Sequence, residues 1–138
     1  MGIGRYNSEG YYDPVPHLAM AAADREKRQE LHKWRPLVYI CSPFSGDEER
    51  NVQKAREYSR FAVDEGAIPL APHLLLPQFM KEETERELSM FMNMVFLGRC
   101  EELWVFGSIL SDGMKAEIGK AVQKKKTIRY FTEDCMEV

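Results

Sequence analysis

Four short apolar runs, at residues 37–41, 67–71, 102–107 and 127–131, are separated by stretches whose apolar residues recur at helical spacing. No other feature constrains the fold as tightly. Each run has the length and the β-branched or aromatic content of a strand buried on both faces. Between the first two, Asp47, Glu48 and Glu49 mark a helix start, Val52, Ala55, Ser59 and Ala62 repeat at helical spacing, and Gly66 supplies the stop. A second helix is expected from about residue 82 to 99, with Leu88, Phe91, Met92, Val95 and Phe96 along one side. A third opens at Asp112 and Gly113, carries Met114, Ile118, Ala121 and Val122, and closes at Lys124, Lys125 and Lys126, where positive charge complements the helix dipole. The order βαβαβαβ predicts an α/β fold, a flavodoxin- or Rossmann-like parallel sheet with helices on both faces. Pro69 assigns the second run to an edge or a strand end, since proline has no N–H for a central ladder.

The 138 residues suffice for one hydrophobic core. Residues 36–138 carry the pattern above and are expected to form the α/β domain. Residues 1–35 read as an N-terminal extension, Gly-, Tyr- and Pro-containing at first and helix-prone from about 18 to 33. Lys and Arg total 19 against 22 Asp and Glu, a formal charge of −3, so there is no basic field for a nucleic-acid polymer. Cys41, Cys100 and Cys135 form no C-x-x-C pair and meet no histidine at ligand spacing, so no metal is expected. The apolar runs are too short for a membrane span, and free cysteines suit a reducing, cytoplasmic location. Neither a G-x-G-x-x-G nor a Walker motif is present, and no cofactor is expected.

In an open parallel sheet, ligands bind beyond the carboxyl ends of the strands. The first such loop offers the Ser42 and Ser45 hydroxyls, the permissive backbone of Gly46 and a helix N-terminus, which suit a phosphate or a ribose hydroxyl, or simply cap the turn. His73 follows the second strand. After the third come Ser111, Asp112, Gly113 and, in the first turns of the next helix, Glu117. A carboxylate there is expected to stay ionised, as a nucleophile or cation stabiliser requires; complementing the helix dipole is the other reading. Asp112 could equally cap the helix, Tyr39 could be a core tyrosine, and Arg50 and Arg86 read as solvated helix-face residues.

The run Tyr39-Ile40-Cys41-Ser42-Pro43-Phe44 resembles the first strand and loop of nucleoside 2-deoxyribosyltransferases and of the related 2'-deoxynucleoside 5'-phosphate N-hydrolases. Gly113-Met114-Lys115-Ala116-Glu117-Ile118-Gly119-Lys120-Ala121 resembles their nucleophile segment, and the elements between residues 36 and 131 follow the same order. The resemblance implies that Glu117 attacks C1' of a sugar, that Tyr39 positions its carboxylate, and that Ser42, Ser45, Gly46 and Ser111 receive a 5'-phosphate. It implies an N-glycosidase acting on a nucleoside 5'-monophosphate, or a deoxyribosyl transferase, with a small-molecule nucleoside or nucleotide as partner. The sequence departs from the family at Asn93, where an aspartate is expected; an amide cannot exchange a proton as a carboxylic acid does, leaving His73 or Asp112 as candidates to protonate the departing base. A catalytically silent nucleotide-binding module is the alternative. Family sites are commonly completed by a neighbouring subunit, and Met90, Phe91, Met92 and Met94 surround the second helix with apolar surface, so a homodimer or larger homo-oligomer is expected.

Overall fold

The computed structural model describes residues 22–138. The chain divides into two compact units, Met1–Trp34 and Arg35–Val138. Within the first, α1 (Ala22–Leu31) buries none of its residues, and a Lys33–Glu30 ion pair at 2.6 Å follows its last turn. The rest of the expected extension lies outside the described residues.

The second unit runs β1 (Leu37–Cys41), α2 (Glu48–Asp64), β2 (Ile68–Leu70), α3 (Pro72–Leu75), a 3-10 turn (Leu76–Gln78), α4 (Glu82–Arg99), β3 (Glu102–Phe106), α5 (Asp112–Gln123) and β4 (Thr127–Phe131). The four strands form one parallel sheet in the order β2-β1-β3-β4. This is the expected α/β architecture, and Pro69 sits in an edge strand. The sequence had placed nothing helical after β2; there Pro72 at the first position of α3 supplies the preset φ that starts a helix without needing its missing N–H.

Strand alternation divides the core between the two faces of the sheet. Val38 and Ile40 of β1 point with Trp104 and Phe106 of β3 toward α2, packing on Tyr58, Ala62, Ala67 and Phe131. Tyr39 and Cys41 point the other way with Leu103 and Val105, toward Leu97 of α4 and Met114 and Ala121 of α5. The inward side of α4 differs from expectation. Leu97 is fully buried and Met94 and Phe96 pack on the core, whereas Leu88, Phe91 and Val95 are exposed. Residues 90–97 are apolar on nearly every side, so periodicity could not select the packed face. Val122 is likewise exposed, one step round the helix from buried Ala121.

Candidate active site

The carboxyl ends of β1 and β3, the α3 segment and the N-terminal turns of α4 and α5 enclose a cavity of about 560 Å³, a size suited to a small organic ligand. Ser42, Ser45, His73, Asn93, Ser111, Asp112, Gly113 and Glu117 all line it. Tyr39 is 1% exposed and reaches the site through its hydroxyl, which donates a hydrogen bond to Oε2 of Glu117. Gly46 adopts φ +98°, the left-handed turn that favours glycine, but is not among the lining residues.

Glu117 is placed by helix geometry. It lies three residues after Met114 and four before Ala121, both buried, so its side chain leaves α5 on the sheet-facing side. There it is half-buried at the cavity wall and bonded to Tyr39. Burial raises its pKa above the ordinary glutamate value, while hydrogen bonds from Tyr39 and from the Cys41 thiol pull it back. Tyr39 is itself pushed well above the usual phenol range, by burial first and by the adjacent Glu117 charge second, so it remains a donor. Cys41 is a fully buried thiol on the same strand as Tyr39. Its place beside Glu117 follows from β1 alternation, which puts residues 39 and 41 on one face.

Ser42 Oγ and His73 Nε2 lie 2.9 Å apart, a pair that no local pattern announces because 31 residues separate them. Burial lowers the His73 pKa to about 4, so at neutral pH the ring is uncharged and carries no imidazolium proton to donate. Ser111, rather than Asp112, caps α5: its Oγ accepts the Met114 N–H at 3.2 Å. In the first loop the Asn51 side chain donates to the Phe44 and Ser45 carbonyls, each at 3.0 Å, fixing the turn from outside the cavity. Oδ1 of Asn93 is buried with no hydrogen-bond partner among the described residues. A buried carbonyl left in this state is destabilising unless a ligand or water completes it. Sequence reasoning missed Glu48, Lys81, Glu82, Glu83 and Arg86, which also line the cavity; Arg86 had been read as solvated, and it pairs with Glu82 at 3.0 Å. Among the described residues no cluster of three or more His, Cys, Asp or Glu could hold a metal, and no helix is long and apolar enough to cross a membrane.

The fold and this crevice together define a parallel α/β protein with a half-buried, hydrogen-bonded carboxylate at the head of its sheet. Residues 36–131 match the family described as a domain of unknown function, DUF7768, and the chain belongs to that family. No curated protein matches the sequence. Among solved structures, the chain is similar to a 2-desoxiribosyltransferase from Leishmania mexicana, at 15% identity and a TM-score of 0.54 over 70% of this chain and 64% of that one. It is also similar to a 2-deoxyribosyltransferase from Bacillus psychrosaccharolyticus, at 20% identity and a TM-score of 0.52 over 70% of this chain and 72% of that one. At these identities the likeness is one of fold. The chain spans less than two thirds of the Leishmania enzyme's length.

Proposed function

We propose that this chain breaks the sugar–base bond of a nucleoside or nucleoside 5'-monophosphate, with Glu117 as the nucleophile at C1' and the sugar passed to water or to a second base. The observation that carries the reading is the Tyr39–Glu117 hydrogen bond at the wall of a ligand-sized cavity. A phenol beside the carboxylate fixes which oxygen faces the substrate and favours the anion that attacks. The carboxylate oxygen bonds to C1' as the C1'–N bond breaks and its electron pair leaves with the base. Water or a second base then displaces Glu117 from C1'. Ser42, Ser45 and Ser111 supply hydroxyls for the sugar or its 5'-phosphate, and the exposed Leu88–Phe91–Val95 side of α4 is the surface through which a homodimer would form.

A silent nucleotide-binding module is the second reading. It is favoured by Asn93 and the neutral His73, which leave only the exposed Asp112 among the candidate proton donors for a departing base. Base release separates the two. Incubation with deoxyribo- and ribonucleosides and their monophosphates should liberate free base and give a glycosyl adduct on Glu117 detectable by mass spectrometry. Binding without base release across the panel would establish the silent module instead.

A further inference from the structure

We propose that the glycoside cleaved here carries a cationic base, a pyridinium or an N-alkylated purinium, rather than a neutral one. The inference rests on the nucleophile reading of Glu117 and adds to it the substrate's charge. Two independent features of the cavity point to it.

The first is the formal charge of the lining. Besides Glu117, the carboxylates of Glu48, Glu82, Glu83 and Asp112 face Lys81 and Arg86, four acids against two cations, and Arg86 is already paired with Glu82. A surplus of negative charge around a concave site concentrates cations and repels anions. A 5'-phosphate gains nothing from that surplus, whereas a positively charged ring does.

The second is the missing acid. A neutral nucleoside releases its base as an anion unless a proton arrives at the ring nitrogen, and a positioned acid contributes roughly 10²–10⁴-fold to such a step. Asn93 offers only an amide, whose buried Oδ1 can accept but not protonate. His73 is neutral and engaged with Ser42, the Tyr39 hydroxyl is committed to Glu117, and Asp112, the other candidate, is exposed in the first turn of α5, where no hydrogen bond among the described residues positions it against a leaving base. A cationic glycoside needs no proton. Glu117 bonds to C1', the C1'–N bond breaks, and its electron pair neutralises the ring nitrogen, which leaves as an uncharged base. Water then attacks C1', the Glu117 carboxylate departs, and the proton lost by water passes to solvent, one per turnover.

The test uses the full chain at neutral pH with nicotinamide riboside and its 2'-deoxy form as cationic probes, and inosine, uridine and their 2'-deoxy forms as neutral ones. Base release is followed by chromatography, and every rate is divided by its uncatalysed rate. The cations are expected to show a rate enhancement roughly 100-fold above the neutral glycosides, the size of an absent general acid. Their KM should rise with added salt while that of neutral glycosides stays flat. Glu83→Gln should raise KM for the cation and leave its kcat alone, and Asn93→Asp should narrow the gap between the two substrate classes by restoring an acid. Equal or greater enhancement for neutral glycosides, with cleavage still abolished by Glu117→Gln, would overturn the charge inference and leave the nucleophile standing. Cleavage of neither class would overturn both.

Discussion

The two faces of the sheet are built from the same strands and do opposite work. Toward α2 lies an aromatic stack: Tyr58 and Phe106 ring centroids 4.2 Å apart and nearly parallel, Phe106 and Phe131 at 4.9 Å, with Trp104 beside them. Its polar atoms sit at the margin, where Trp104 Nε1 donates to Glu102 and Arg129 lies over the indole at 4.6 Å. Toward α4 and α5 the side chains are smaller, and Tyr39, Cys41 and Glu117 place polar atoms inside the protein. The chain concentrates its aromatic packing on one face and accepts a half-buried carboxylate on the other. Stability and chemistry are thereby separable by substitution.

The largest effect should come from the aromatic face. Phe106→Ala removes a fully buried ring stacked on two others and should destabilise the fold by about 3–5 kcal/mol, read from denaturant midpoints, with ligand affinity of the remaining folded protein unchanged. Glu117→Gln is the mirror experiment. Cleavage should fall roughly 10³-fold, about 4 kcal/mol in barrier height. Thermal stability at neutral pH should hold or rise. The sign follows from the raised pKa: the folded state disfavours the anion, so stability attributable to this group falls as pH rises from the unfolded glutamate value through the folded one, and the amide removes that loss. A drop in stability as large as that of Phe106→Ala would break the division between the faces.

His73 gives a smaller, pH-dependent effect. Its folded pKa of about 4 lies below the ordinary histidine value of 6.5, so between those values the unfolded chain binds more protons. Stability should therefore decline as pH falls from 6.5 toward 4, by at most about 3 kcal/mol, and level off below. In His73→Gln that decline should be absent from thermal melts taken across the window. Tyr39→Phe should have the mildest consequence. With one donor to Glu117 removed, turnover should slow by roughly 10–100-fold, and the acidic limb of the pH–rate profile should move upward because less opposes the desolvation of the carboxylate.

The strands and the edge position of Pro69 were legible because short apolar runs bounded by turn residues, and a proline with no N–H to offer, admit few readings. Segments apolar all round, such as residues 90–97, were not, since the face that packs is selected by tertiary neighbours. At the site, Ser42, His73, Ser111 and Glu117 were found from their places after strand ends, and all four line the cavity. The Ser42–His73 pair and the charged rim from Lys81 to Arg86 were hidden. They depend on α3 and the start of α4 folding over the crevice, a contact between segments with no local signature.

The margins of the sheet carry a further consequence, for solubility. Ile68 N donates inward to the Pro36 carbonyl at 2.8 Å, so alternation turns the nitrogen of Pro69 to the open side, where proline has no hydrogen to offer. The β2 margin is three residues long and has no donor at its centre. At β4, the chain folds back: Phe131 bridges Glu137 antiparallel, Val138 N donates to the Tyr130 carbonyl at 3.0 Å, and Arg129 grips Glu137 through two hydrogen bonds at 2.7 and 2.9 Å. Neither margin presents a long open row of backbone groups on which a fibril could template. Growth by strand addition is thus discouraged from both ends, and self-association of this unit is left to its helical surfaces.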